Sequence, residues 1–122
     1  MYKRQIQDRD IYLLKDTIKT KLNLEMAATE EMLRISQKLL PDYVTLVPEK
    51  RKEITTEGGL DVKNNEKYLK DYVKSLKSSN IEVSAFVDPA NDQINSSGEI
   101  GFDFIELHTG KYADLKLSLI HI

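Results

Sequence analysis

The chain has 122 residues, of which 31% are charged and 40% are hydrophobic, as expected for a single globular domain. Its formal net charge of -2 argues against a nucleic-acid-binding surface. The absence of cysteine excludes disulfides, thiolate nucleophiles and cysteine metal ligands. The sequence shows neither a signal-peptide pattern nor an apolar run long enough to span a membrane. We therefore expect a cytoplasmic protein without nucleic-acid or membrane partners.

The two ends of the chain look foreign to the rest. Residues 1–5 (MYKRQ) and 117–122 (LSLIHI) resemble the two translated orientations of a transposon-end sequencing adapter. The alternative for the closing residues is a natural terminal strand. Because both ends match the adapter at once, we expect residues 6–116 to be the authentic domain.

The first elements predicted in chain order are a helix and a strand. Ile11, Leu14 and Ile18 recur at helical spacing, and Asp10 is a plausible N-cap residue. In residues 21–27 apolar and polar side chains alternate, which is typical of a strand.

A second helix is predicted after Thr29, whose side chain can cap the first turn. Met32, Ile35 and Leu39 form its apolar stripe, and Pro41 ends it. Residues 42–48 are predicted as the next strand, because this segment is short and rich in β-branched and aromatic side chains.

A long polar loop, residues 49–63, separates this strand from the second half of the chain. The next helix has one apolar face, formed by Leu69, Tyr72, Val73 and Leu76. Residues 81–88 and 102–110 are predicted as strands. Pro89 fits the first turn of the helix between them, although several residues of that helix are poor helix formers.

Helices and strands therefore alternate along the chain, which implies right-handed crossovers and a parallel sheet. Two α/β architectures fit: a small open doubly wound sheet, or about four βα units of a (β/α)8 TIM barrel. Neither a GxGxxG nor a GxxxxGK[ST] phosphate loop is present, which weakens the nucleotide-binding form of the open sheet. Polar residues near the carboxyl ends of the strands favour the partial TIM barrel.

Alternation places Glu25 on the strand face opposite Leu24 and Met26, so that it points into such a barrel. Glu106 and His108 share the corresponding face of the last strand. A carboxylate inside a barrel can act as a general base or acid near neutral pH. The alternative is that each glutamate is a solvated or salt-bridged residue at a strand end.

The polar loop is longer than a connection in a compact domain normally needs. Its Lys50 and Arg51 could pair with a phosphate, and the Thr55 hydroxyl could hydrogen-bond one. Gly58 and Gly59 allow a backbone conformation that other residues resist. The alternative is a flexible, solvated loop.

Other site chemistries find little support in the sequence. His108 could be an acid–base group or a histidine that only satisfies a hydrogen bond. It is the one histidine of residues 6–116, and no HExxH motif is present, so we expect no metal site. No GxSxG motif indicates a serine nucleophile.

Three strings of this sequence resemble the pyridoxine 5'-phosphate synthase family: VPEKRKEITTEGGLDV, NLEMAATEEML and FIELHTGKYAD. The resemblance extends over nearly all of residues 6–116. It implies a (β/α) barrel, of which this chain holds the third to sixth strands. It implies an enzyme that condenses 1-deoxy-D-xylulose 5-phosphate with 3-amino-2-oxopropyl phosphate, giving pyridoxine 5'-phosphate, phosphate and water. The family needs no metal or organic cofactor and assembles as a homo-octamer.

The resemblance also implies roles for individual residues. Glu25 falls on the general base of the family, and Glu106 falls on the glutamate that stabilises the transition state. Thr55 falls on the loop threonine that contacts the deoxyxylulose phosphate. Further candidates in the same motifs have no assigned role: Glu49, Lys50, Arg51 and His108.

The family's first two and last two strands, with their histidines and phosphate-binding segments, have no counterpart in this sequence. We therefore expect the chain alone to be inactive and, because its strand edges are exposed, poorly soluble. One alternative is a non-catalytic phosphate-binding module that uses Lys50, Arg51 and Thr55. Another is a different (β/α)-barrel enzyme.

Overall fold

Helices and strands alternate in the computed structural model, which describes residues 8–17, 20–49, 54–55 and 58–109. The elements are α1 (Asp8–Thr17), β1 (Asn23–Met26), α2 (Glu30–Leu39), β2 (Tyr43–Leu46), α3 (Glu66–Lys77), β3 (Glu82–Val87), α4 (Asn91–Ile100) and β4 (Phe104–Leu107). A short 3-10 helix, Lys63–Asn65, leads into α3. The predicted order of helices and strands is confirmed.

The four strands form one parallel sheet in the order β1-β2-β3-β4. In a doubly wound sheet the strand order reverses at a switch point. Here each new strand is added at the same edge, which is the arrangement of consecutive βα units in a barrel. The predicted α/β class and parallel sheet are confirmed, and the order is consistent with a partial TIM barrel.

The register of the sheet separates apolar from polar side chains. Paired residues in a parallel sheet share a face, so Leu24, Val44 and Val83 point to one side. That side is covered by the helices and forms the hydrophobic core. The buried core residues are Met26, Ala28, Val44, Leu46, Leu60, Val62, Leu69, Tyr72, Val73, Leu76, Ile81, Val83, Ala85, Val87 and Ile100. Each large aliphatic side chain among them stabilises the fold by about 1.5–3 kcal/mol.

Helix α2 is closed at both ends by polar contacts. The backbone N–H of Met32 donates to Thr29 Oγ1 at 3.2 Å, which confirms the predicted N-cap. At the other end Leu40 adopts the left-handed region with φ 54°. Lys15 Nζ donates to the carbonyls of Leu39 and Leu40 at 2.6 and 2.7 Å, so α1 caps α2.

Helix α3 carries the predicted buried face and also fixes the turn after β1. The Tyr68 hydroxyl donates to the carbonyl of Ala28 at 2.6 Å, and the Tyr72 hydroxyl donates to the carbonyl of Thr29 at 2.7 Å. Burial raises the pKa of Tyr72 well above its ordinary value, and the charges of Tyr68 and Glu30 act in the same direction. The tyrosine therefore stays neutral and keeps its hydrogen bond.

Two aspartates form hydrogen bonds at the end of the sheet where the strands begin. Asp42 Oδ2 accepts from the N–H of Leu22 at 2.8 Å, and Asp103 Oδ2 accepts from the N–H of Val83 at 2.9 Å. Lys77 also forms a 3.0 Å ion pair with Asp103, which ties α3 to the start of β4. Each aspartate thus joins the entry of its own strand to the preceding strand.

Two predicted helix starts are wrong. Asp10 lies inside α1, which begins at Asp8, because periodicity locates a helix face better than its first residue. Pro89 lies outside α4, because the Ala90 N–H donates to the Asp88 carbonyl at 2.7 Å in a turn that delays the helix.

Other details of the helices depart from the expected pattern as well. In α2 only Leu39 of the predicted stripe is fully buried, while Met32 and Ile35 are half-buried. Helix α4 forms despite its composition, because Ser96, Ser97 and Ile100 are buried and this packing overrides weak propensity. Ile18 lies outside the described residues. Within them, no helix is both long and apolar enough to cross a membrane.

Replacing Thr29 by alanine should lower the free energy of unfolding by about 1 kcal/mol, because α2 loses its N-cap acceptor. Thr29→Ser keeps the hydroxyl and should remain within a few tenths of a kcal/mol of the parent chain. Urea denaturation of the three proteins measures the difference. If Thr29→Ala and Thr29→Ser lower the free energy of unfolding equally, the N-cap hydrogen bond is not the cause of the destabilisation.

Candidate active site

The sheet face opposite the helices, called the inner face here, is mostly polar. The residues that the register places on it are Asn23, Glu25, Tyr43, Thr45, Glu82, Ser84, Phe86, Phe104 and Glu106. Glu25 is exposed on the edge strand β1, and Glu106 is half-buried on the opposite edge strand β4. The prediction that both glutamates lie on the strand face opposite the apolar core is confirmed.

Glu106 is held over the middle of the sheet by side chains of two other strands. The hydroxyl of Thr45 lies 3.2 Å from Glu106 Oε2 and 3.0 Å from Asn23 Oδ1. Asn23 Nδ2 donates to the same carboxylate oxygen at 3.4 Å. Because Thr45 is fully buried, these contacts fix the Glu106 carboxylate relative to β1 and β2.

A cavity of about 290 Å³ opens on the inner face beside Glu106. Its lining comprises Asn23, Tyr43, Thr45, Ser84, Phe104, Ile105 and Glu106. Ser84 Oγ is buried and, within the described part of the chain, has no hydrogen-bond partner. A buried hydroxyl normally has a partner, so this one is available to a polar group that enters the cavity.

A second polar cluster lies at the carboxyl end of β3, where the long loop returns to the sheet. Asp88 Oδ2 accepts a hydrogen bond from the Thr55 hydroxyl, and Asp88 Oδ1 accepts one from the N–H of Gly59 at 3.0 Å. Thr55 Oγ1 in turn accepts from the N–H groups of Gly58 and Gly59, both at 3.1 Å. The cluster therefore fixes Thr55 at the end of the sheet.

His108 stands beside this cluster at the end of β4. The backbone N–H of His108 donates to the Val87 carbonyl at 2.7 Å, and the centre of its ring lies 5.2 Å from that of the Phe86 ring. A Cβ at Gly58 would lie 2.7 Å from His108 Nε2, and Gly58 has φ +114°. A glycine is thus required where the loop passes the imidazole.

Asp61 anchors the far end of the loop. Its carboxylate accepts from Asn64 Nδ2 at 2.8 Å and from Gln93 Nε2 at 2.9 Å, and Gln93 Oε1 accepts from the N–H of Val62 at 2.8 Å. Burial raises the pKa of Asp61, but the hydrogen bonds and the charge of Lys63 outweigh it. The pKa lies below its ordinary value of 3.8.

The structure brings together some of the predicted site residues and not others. Glu106 and Thr55 lie in hydrogen-bonded clusters, whereas Glu49 is exposed on the loop. Lys50 and Arg51 lie outside the described residues. Among the described histidines and carboxylates, no group is arranged to hold a metal ion.

Sequence reasoning missed three polar residues of the site. Thr45 and Ser84 were treated only as strand residues, and Asp88 only as a polar strand end. The signal was present, because the alternation that turns Glu25 and Glu106 inward places Thr45 and Ser84 on the same face.

These features define an α/β protein of consecutive parallel βα units with a polar site on the inner face and at the carboxyl ends of the strands. A family model described as "Pyridoxal phosphate biosynthesis protein PdxJ" matches residues 2–119. The chain belongs to this family.

Similar curated proteins carry the name "Pyridoxine 5'-phosphate synthase". The protein of Prochlorococcus marinus subsp. pastoris (strain MED4) is 94% identical over 114 residues, which are 93% of this chain and 48% of the relative. That of Prochlorococcus marinus (strain MIT 9515) is 82% identical over the same shares. That of Crocosphaera subtropica is 59% identical over 92% of this chain and 47% of the relative. The chain spans about half the length of the curated relatives it matches.

Replacing Gly59 by alanine should lower the free energy of unfolding by about 1–3 kcal/mol. The added Cβ would lie 2.6 Å from the Asp88 nitrogen and 2.8 Å from Asp88 Oδ1, so the loop must shift. Gly98→Ala is the matched control, because nothing lies within 4 Å of a Cβ there and alanine favours the helix by about 0.5–1 kcal/mol. Chemical denaturation of both variants is the measurement. A Gly59→Ala chain as stable as the parent would contradict the close approach.

Asp61 should make stability sensitive to acid. Since its folded pKa is below its unfolded pKa, its contribution is present above the unfolded value of about 4 and is lost as the pH falls through the folded value. Asp61→Asn should therefore flatten the decline of the unfolding free energy below about pH 4. Asn64→Ala, which removes hydrogen bonds but keeps the carboxylate, should give an intermediate slope. If the unfolding free energy falls with pH at the same slope in the parent, Asp61→Asn and Asn64→Ala, then Asp61 is not the source of the acid sensitivity.

Proposed function

We propose that the chain is the central part of a pyridoxine 5'-phosphate synthase and supplies the third to sixth strands of its (β/α)8 barrel. The complete enzyme condenses 1-deoxy-D-xylulose 5-phosphate with 3-amino-2-oxopropyl phosphate to give pyridoxine 5'-phosphate, phosphate and water. Membership of the family and the names of the relatives support this function. The single structural observation that carries it is the presence of two inward carboxylates on opposite edge strands of one polar face.

The chemistry of the reaction gives each carboxylate a role. Condensation of an amine with a ketone removes protons from nitrogen and delivers protons to the oxygen that leaves as water. We assign Glu25 as the general base that moves these protons, since its exposed carboxylate faces the space above the sheet. Glu106 stabilises positive charge that develops in the transition state, and Thr45 and Asn23 hold it in place.

The loop cluster is assigned to the phosphorylated ketose. Thr55 contacts this substrate, and its fixed position at the carboxyl end of the sheet supports the assignment. The His108 ring lies next to Gly58 of this cluster. Glu49 begins the loop, and the sequence assignment of Lys50 and Arg51 to phosphate binding, which rests on their charge alone, is kept as part of the proposal.

The remainder of the site belongs to the half of the relatives that this chain does not match. We therefore expect the chain alone to be inactive, and the complete protein to be a cytoplasmic homo-octamer that needs no metal or organic cofactor. Exposure of Phe104, Ile105 and Leu107 on the edge strand β4 supports the expected poor solubility of the isolated chain. The authentic segment remains assigned to residues 6–116, although the family match extends slightly beyond both boundaries.

A hybrid enzyme tests the proposed function. Residues 6–116 replace the matching segment of the full-length Prochlorococcus marinus MED4 relative, and product formation is measured with both substrates. The hybrid should make pyridoxine 5'-phosphate, whereas the 122-residue chain should not. Glu25→Gln and Glu106→Gln should each lower kcat by about 100-fold or more. Glu99→Gln, on the exposed surface of α4, is the matched control and should retain activity.

The outcomes separate the assignments. A folded hybrid without product refutes the synthase assignment, and binding of phosphate esters without turnover favours the phosphate-binding alternative. An active hybrid that tolerates both glutamine substitutions refutes the catalytic roles while leaving the function intact.

A further inference from the structure

Asp88 is a buried carboxylate to which no role has yet been given. It follows the last residue of β3 and is only 4% exposed. Among the ion pairs formed within the described ranges, none includes Asp88. A buried carboxylate without a cation is costly unless hydrogen bonds replace its hydration. The contacts that do so here all come from the loop.

Both oxygens of Asp88 are used, and each holds a different part of the loop. Oδ2 accepts from the Thr55 hydroxyl, and Oδ1 accepts from the Gly59 N–H at 3.0 Å. Next to these contacts, the Leu60 N–H donates to the Phe86 carbonyl at 2.8 Å. Beside the buried core residue Leu60, the loop therefore contacts the end of β3 through the Asp88 carboxylate and one backbone hydrogen bond.

The hydrogen bonds also fix the direction of the Thr55 hydroxyl. Its single proton points to Asp88, and its oxygen accepts from the N–H groups of Gly58 and Gly59 at 3.1 Å each. A substrate that accepts the hydrogen bond of the Thr55 hydroxyl must therefore replace Asp88 as its acceptor. The Gly59 contact does not involve this proton, so it can keep the loop in place during the exchange.

We propose that Asp88 is a positioning residue for the phosphorylated ketose: it holds Thr55 and the Gly58–Gly59 amides at the mouth of the site without touching the reacting atoms. The inference rests on the proposed function, because the ketose contact of Thr55 is part of it. The carboxylate suits this task better than a neutral side chain, since it accepts from two donors at once and accepts more strongly. Asparagine at this position offers only one acceptor.

Kinetics of the hybrid enzyme test the proposal. Asp88→Asn should raise the KM for 1-deoxy-D-xylulose 5-phosphate about tenfold, which corresponds to one lost hydrogen bond to a charged group. The KM for 3-amino-2-oxopropyl phosphate and kcat should change by less than about twofold. Asp61→Asn, at the far end of the same loop, is the matched control: it should lower stability and leave both KM values unchanged.

A double-mutant cycle tests whether Asp88 acts through Thr55. Thr55→Ser keeps the hydroxyl and should stay close to the parent, whereas Thr55→Val should raise the same KM. Adding Asp88→Asn to Thr55→Val should then have little further effect. If the KM effects of Asp88→Asn and Thr55→Val multiply in the double variant, the two residues act independently and the proposal is overturned. A fall in kcat with both KM values unchanged also overturns it. The same holds if Asp61→Asn raises the KM as much as Asp88→Asn does.

Hydrogen exchange in the 122-residue chain provides a readout that does not need activity. The amide of Gly59 should exchange about tenfold faster in Asp88→Asn than in the parent, because its acceptor is weakened, and at the parent rate in Asp61→Asn. Equal exchange in the parent and Asp88→Asn overturns the proposal. An inactive hybrid counts against the proposed function, whereas an active hybrid without the KM change counts only against Asp88.

Discussion

The parallel register of the sheet is the constraint on which the rest of this structure depends. Paired residues share a face, so one alignment along all four strands turns Val44 and Val83 towards the helices and Thr45 and Ser84 towards the inner face. A shift of one residue in β2 or β3 would put its polar side chains into the core. Burial of the apolar residues of these two strands therefore fixes where Thr45 lies, and Thr45 in turn contacts Glu106.

The site combines the polar face of the sheet with a loop that is anchored by buried apolar residues and by hydrogen bonds. On the sheet, Thr45 is buried within the polar layer that orients Glu106, so that carboxylate is positioned by elements that also carry the core. Among the described loop residues, Leu60 and Val62 are buried in the core, and Thr55 and Gly59 form hydrogen bonds with Asp88 at the same end of the sheet. The position of the loop therefore depends on apolar burial, on polar contacts whose geometry is strict, and on Gly59, which leaves no room for a side chain.

Much of the fold could be predicted from local patterns. Alternation located the strands and turned Glu25 and Glu106 inward, and Thr29 was recognised as an N-cap. The start of α4 was misplaced because the chain makes a tight turn from Asp88 to Ala90 first, and a proline fits such a turn as well as it fits the first turn of a helix. The hydrogen bond between Thr55 and Asp88 joins residues 33 positions apart, so it could not be found by pattern alone. Resemblance to the family identified Thr55 but not its partner.

The sequence by itself determined the order of helices and strands, the polar face and the family, because periodicity and motif strings are properties of neighbouring residues. Only the tertiary structure decided which strands are adjacent, that Thr45 and Asn23 hold Glu106, and that Asp88 receives the loop. These are contacts between distant segments, and their geometry is set by how the strands pair and how the loop returns. Polar contacts act only over a few ångströms, so they are specified once the chain has folded and not before.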